Sequence, residues 1–191
     1  MEFVIDASTN LFTDLIDVDL SGLDLSYVNL ENANFIRTNL TNTNLTCANL
    51  SGAVFIGADL IGAYLTNANL RYCNFSGANI SGADFTHADL TGSNLSSTTA
   101  IRTDFVNTGL NYTFFVGSDL TRSNLINSTA IGAIFSGATL AGANLSHTNF
   151  SGGTFIKTNM TNTYNVGTQY INTCLLLADF TNSFPTSPYT R

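Results

Sequence analysis

The sequence is short of charge. Only 10% of its 191 residues are Asp, Glu, Lys or Arg, where an ordinary globular domain carries about a quarter. Six bases stand against 13 acids, for a net charge of -7, which disfavours nucleic-acid phosphate or an anionic membrane as partner and leaves a basic protein surface as the easier fit. Cysteine is scarce as well. Cys47, Cys73 and Cys174 are odd in number and lack CxxC spacing, so neither a disulfide framework nor a zinc knuckle is expected. No apolar run approaches the roughly 18 to 20 residues that span a bilayer, and the start, Met1-Glu2-Phe3-Val4-Ile5-Asp6, lacks the cationic head of a secretory leader. The expected compartment is the cytoplasm. Chemistry-bearing constellations are missing too: there is no GxSxG, no P-loop and no dinucleotide-binding glycine pattern. His87 and His147 are 60 residues apart. The expectation is a protein that is not an enzyme and holds no metal or cofactor.

What is present is hydrophobicity at 44% in an unusual arrangement. From Leu15 to Phe180, every residue whose number ends in 5 or 0 is Leu, Phe, Ile, Met, Ala or Tyr, and Asn165 is the one exception. Almost all of these 34 positions are preceded, two residues earlier, by a small side chain such as Ala48, Ala83, Ser93 or Thr103, and one residue earlier mostly by Asn or Asp. A helix needs apolar spacings of three and four, and a flat strand needs unbroken alternation. A period of five fits a chain that turns a corner once per repeat, with the large residue and the small one two before it pointing inward.

The strings Ala48-Asn49-Leu50-Ser51-Gly52, Ala58-Asp59-Leu60-Ile61-Gly62 and Ala88-Asp89-Leu90-Thr91-Gly92 resemble the A(D/N)LXX motif of the pentapeptide repeat family. The resemblance implies an all-β fold, a right-handed quadrilateral parallel β-helix of about 8 coils with four pentapeptides each. The expected organisation is an N-terminal cap at 1–12, the β-helix at 13–180 and a C-terminal tail at 181–191. The cap expectation rests on Phe3, Val4, Ile5, Leu11 and Phe12, which break the pattern yet are apolar, since an open solenoid end exposes backbone donors and core.

A coil of 20 residues sorts the outward positions into four sides. The side centred on Leu15, Phe35, Phe55 and Phe75 collects most of the outward aliphatics: Ile36, Val54, Ile56, Phe114, Val116, Ile134 and Ile156. Clustered apolar surface marks an interaction site, so this side is the candidate interaction face, with a homodimer as one possible use. Charge is sorted as well. Residues 1–31 hold seven acids and no base, whereas residues 32–191 hold six of each. Asp14, Asp17, Asp19, Asp24 and Glu31 thus form an acidic end, readable as a device that keeps the rod soluble and discourages end-to-end stacking. The functional expectation is a non-catalytic scaffold that mediates protein–protein interaction through flat faces. The resemblance supplies an alternative, the DNA-mimicking rods of quinolone resistance that bind DNA gyrase, although here the acids sit at one end and not along the rod. An ice-binding surface is a third alternative: Thr41, Thr121, Thr161 and Thr181 share a row, which Ile61, Ile101 and Ala141 interrupt.

Overall fold

The computed structural model describes residues 14–185; the expected cap at 1–12 and the end of the expected tail lie outside them. Parallel bridges join each residue of the row 14, 19, 24 and onward to the residue 20 further along, from Asp14↔Asn34 to Tyr164↔Phe184. One coil is therefore 20 residues and four sides. Coil 1 is 14–33, coil 2 is 34–53, and the series runs to coil 8 at 154–173 and a partial coil 9 at 174–185. The first side is centred on Leu15 and its equivalents, the second on Leu20, the third on Leu25 and the fourth on Leu30.

Each pentapeptide has five backbone N–H groups, and a chain this tightly wound must place them all. Around Phe35 four are used by backbone carbonyls. Phe35 N–H donates to Val54 O (2.7 Å) and Arg37 N–H to Ile56 O (3.0 Å) in the next coil. Thr38 N–H closes the turn onto Phe35 O (3.1 Å), and Asn39 N–H reaches back to Val18 O (2.9 Å). The fifth, on Ile36, is accepted by the Oδ1 of Asn34 two residues before (3.3 Å). The same side-chain cap recurs at Asp19, Asn44, Asp84, Asn94, Asp119 and Asn159. This explains why the residue before the core position is Asn or Asp: both offer the acceptor that the turn lacks. Amide-to-amide ladders between coils also occur, with Asn49 Nδ2 donating to Asn29 Oδ1 (2.8 Å) and Asn69 Nδ2 to Asn49 Oδ1 (3.0 Å), but the turn cap is the commoner role.

The turn's second central residue has φ between 54° and 75° throughout, whether it is glycine or Asn, Arg, Tyr or His. Glycine also makes room for the side chain one coil below at Gly52, Gly62, Gly92, Gly132 and Gly167, where Asn32, Asn42, Tyr72, Tyr112 and His147 approach closely. The Tyr72 and Tyr112 rings lie over Gly92 and Gly132, where an added Cβ would stand 2.7 and 2.8 Å from ring carbons.

Inside, the large rows are fully buried from coil 2 to Met160 in coil 8, with fully buried Ala100 and Ala130 among the Leu and Phe. On the first side Phe35, Phe55 and Phe75 stack at 4.7 and 4.5 Å, and Phe115, Phe135 and Phe155 at 4.7 and 4.8 Å. Where the small inward residue is Ser or Thr, its hydroxyl mostly donates to a core carbonyl. The acceptor lies either 23 residues earlier, as Thr38 donates to Leu15 O (2.6 Å) and Thr103 to Ile80 O (2.8 Å), or three residues earlier, as Thr98 donates to Leu95 O (2.7 Å) and Thr113 to Leu110 O (2.6 Å), while Ser123 and Ser183 are left without a partner among the described residues. These bonds satisfy hydroxyls that the core would otherwise penalise. Asn165, the exception in the core row, is held the same way: its Nδ2 donates to Thr163 Oγ1 (2.9 Å) and its Oδ1 accepts from the Tyr170 hydroxyl (2.7 Å).

Candidate interaction surface

The first side presents two outward rows flanking the core residue and a corner row beyond them. In the row before the core position, Val54, Phe114 and Ile134 replace the capping Asn or Asp. In the row after it stand Ile36, Ile56, Val116 and Ile156. Ile56, Phe114 and Val116 are the most open at 38%, 42% and 41% exposure, while Ile36, Val54, Ile134 and Ile156 are half-buried. All seven candidate residues lie on one side.

They do not form one stripe. Coils 4 and 5 carry Asn74, Ser76, Asn94 and Ser96 in the same rows. Asn94 Nδ2 donates to Ser76 Oγ (2.8 Å), and Ser76 Oγ donates to Asn74 Oδ1 (2.7 Å). The side therefore holds two apolar patches, in coils 2–3 and 6–8, with a polar band between them that is already hydrogen-bonded.

The acidic end is less bare than its composition implies. The Arg37 guanidinium sits one coil above Asp17 and donates to it through Nε (2.7 Å) and Nη2, and this hydrogen bond holds the Asp17 carboxyl below its usual range. Asp19 and Asp24 are also held low, first by hydrogen bonds from Ser21 and Ser26 and further by the amides of Asn39 and Asn44. Asp14 is exposed and caps Ile16 N–H (3.3 Å); Glu31 is exposed. Asp14, Asp19 and Asp24 thus cap turns, and Asp17, Asp19 and Asp24 pair with the coil above.

Elsewhere the chemistry is quiet. Burial raises the carboxyl of Asp84, but hydrogen bonds from Thr86 and Thr66 outweigh it and leave it lowered, so Asp84 stays ionised and is not poised as a general acid. Cys73 is buried, pushed up to about 12 by desolvation, and its Sγ donates to Leu50 O (3.0 Å). Among the described residues no three His, Cys, Asp or Glu side chains come together to hold a metal ion. No helix among them is long and apolar enough to cross a membrane. One cluster escaped the sequence reasoning: on the fourth side Arg71 pairs with Asp89 (2.8 Å) and lies over the Tyr72 ring at 5.3 Å. Sorting by a period of 20 could have found it, because Arg71 and Asp89 occupy adjacent rows one coil apart.

The family model for pentapeptide repeats matches the chain in overlapping copies that together cover residues 13–86 and 88–162. The chain belongs to the pentapeptide repeat family. Its coil is accordingly a right-handed quadrilateral β-helix. Among solved structures it is similar to HetL, a pentapeptide repeat protein involved in heterocyst differentiation regulation in the cyanobacterium Nostoc sp. strain PCC 7120. The identity is 24% over 93% of this chain and 88% of that one, with a TM-score of 0.40. It is also similar to the plasmid-mediated fluoroquinolone resistance protein QnrB1, at 24% identity over 87% and 92% with a TM-score of 0.48. A pentapeptide repeat protein of the Arabidopsis thaliana thylakoid lumen is 34% identical over 64% of this chain and 68% of that one, with a TM-score of 0.41. No curated protein matches the chain in sequence. The family assignment rests on the repeat model.

Proposed function

We propose that this pentapeptide repeat protein is a non-catalytic scaffold and that the first side is its recognition surface. The observation that carries the reading is the exchange of caps. Val54, Phe114 and Ile134 each stand where the repeat places an Asn or Asp acceptor, and the N–H groups of Ile56, Val116 and Ser136 accordingly have no side-chain cap such as Asn34 gives Ile36. A side chain that gives up a hydrogen bond to put apolar surface in water destabilises the free rod, and such departures from local consistency mark functional positions.

The test is capture from the source lysate by three forms of the full chain: wild type, Ile56→Lys with Val116→Lys on the first side, and Thr66→Lys with Thr86→Lys on the third. A partner retained by the wild type and the third-side variant but lost on the first-side variant is the expected result. Equal capture by all three contradicts the reading.

A further inference from the structure

We propose that the first side binds a second copy of this chain, the two rods lying antiparallel about a two-fold axis that passes between coils 4 and 5. This rests on the first side being the recognition surface and names its occupant.

The order of residues along the side carries the inference. From coil 3 to coil 6 the row before the core reads Val54, Asn74, Asn94, Phe114, and the row after it reads Ile56, Ser76, Ser96, Val116. The corner row reads Gly57, Gly77, Ser97, Gly117. Each row has nearly the same character in both directions. A two-fold axis lying in the contact plane and crossing the rod keeps each row over itself and sends coil 3 to coil 6 and coil 4 to coil 5. Val54 then faces the partner's Phe114 and Ile56 the partner's Val116, while Asn74 and Ser76 face the partner's Asn94 and Ser96. The small corner residues let the rods approach closely. Further out, coil 1 meets coil 8, so Ile16 faces the partner's Ile156. Coils 2 and 7 match on the diagonal, Ile36 against the partner's Ile134.

Charge selects the antiparallel arrangement over the parallel one. Asp14 and Asp17 against the single Arg37 leave coils 1 and 2 of this side acidic, and Lys157 in coil 8 makes no ion pair among the described residues. The two-fold axis brings the partner's Lys157 over Asp17. Parallel rods would instead set the acidic coil 1 against the partner's coil 1 and Lys157 level with the partner's Lys157 in coil 8, and like charges at close range disfavour that pairing. The area suffices: one side carries somewhat under a quarter of the 8851 Å² surface. Covering about half of it removes roughly 800 to 1,000 Å² per protomer, the size of a standard interface. A contact that is its own mate closes as a dimer and does not propagate.

Cysteine cross-linking tests the register in the full chain, with Cys47 and Cys174 changed to Ser. Within one rod, positions 56 and 116 are three coils apart, about 14 Å at roughly 4.8 Å per coil, beyond the roughly 7 Å a disulfide can bridge. Across the proposed axis they are opposite. The wild type should scatter light as a dimer, and the Ile56→Cys, Val116→Cys double variant should oxidise to a covalent dimer while neither single variant does. Ile56→Lys with Val116→Lys should weaken association at least tenfold with the circular dichroism spectrum unchanged. Cross-linking by the single Ile56→Cys variant would show each position 56 facing its own copy, about a different axis, and overturn the proposal. A dimer with no cross-link in any variant would overturn it by placing the contact elsewhere, as at the exposed Leu176, Leu177 and Phe184 of the last coil. A monomer at every concentration would overturn it as well, while leaving the recognition reading to the capture experiment.

Discussion

The first and second sides of this rod have the same backbone, the same turns and the same kind of core, and they differ in what they show to solvent. Along the second side the row before the core caps its turn at Asp19, Asn39, Asp59, Asn79, Asp119, Asn159 and Asp179, and the two residues that give no cap, Thr99 and Thr139, are polar. Along the first side the cap is present at Asp14, Asn34, Asn74 and Asn94 but exchanged for Val54, Phe114 and Ile134. The fold needs its inward rows, and outward it keeps an Asn or Asp turn cap in most repeats. The pattern inside describes how the chain folds, and the proposed function reads the departures at Val54, Phe114 and Ile134 as the mark of the recognition surface.

The contrast between inside and outside should give the largest effect. Leu65 is fully buried and Thr66 beside it half-buried. Leu65→Asp places an unpaired charge in the core and is expected to abolish folding, whereas Thr66→Asp, which loses the hydrogen bond to Asp84 and sets a second carboxylate beside it at the surface, should leave the rod folded at a cost of about 1 to 2 kcal/mol. Urea titrations with matching midpoints for the two would refute the assignment of inward rows.

Exchanging caps between coils of the first side sharpens the comparison. Asn74→Val removes an acceptor that serves Ser76 N–H (3.1 Å) and should cost about 1 kcal/mol. Val54→Asn supplies the missing acceptor for Ile56 and should stabilise the unassociated rod by a few tenths to about 1 kcal/mol. Chemical denaturation of dilute samples reads both, and the same sign for the two would break the account of the cap.

A smaller effect concerns pH. Asp24 is held below its ordinary value, first by the hydrogen bonds from Ser26 and also by Asn44. A carboxyl lowered on folding contributes stability that is present above its unfolded value of about 3.9 and lost as pH falls through the folded value. Asp24→Asn keeps an Oδ1 acceptor for Ser26 N–H but does not titrate. Thermal midpoints measured from pH 6 downward should therefore fall less steeply below about pH 4 in the variant than in the wild type, and parallel curves would contradict this.

No effect is the expectation for DNA gyrase. Residues 32–191 hold equal numbers of acids and bases and Asp17 is paired with Arg37, whereas duplex DNA presents about one charge per 1.7 Å along its axis. The protein at modest molar excess should leave gyrase supercoiling unchanged at near-physiological salt. Inhibition that disappears when Asp14, Asp17, Asp19 and Asp24 become Asn would show that the acidic end acts as a mimic.

The period of five made the inward rows, the four sides and the location of the seven apolar candidates legible in the sequence, because a repeat in register leaves no freedom in what points inward. The break at Asn74, Ser76, Asn94 and Ser96 was equally readable from the period of 20, but a list of aliphatics hides the polar residues between them. The cap was not readable from spacing alone, since an Asn row serves a ladder or a turn equally well until the Ile36 N–H is seen to have no backbone acceptor. Nor was the pairing of Arg37 with Asp17: composition counts residues 1–31 and 32–191 apart, while the coil sets those two side by side.

The central claim, that the first side gave up turn caps for recognition, is tested most directly by restoring them. In Val54→Asn, Phe114→Asn, Ile134→Asn, stability by denaturation at low concentration and association by light scattering at high concentration are read on the same protein. The account predicts a more stable rod that no longer associates. A triple variant that is less stable than the wild type, or that associates as well as it does, would contradict the claim.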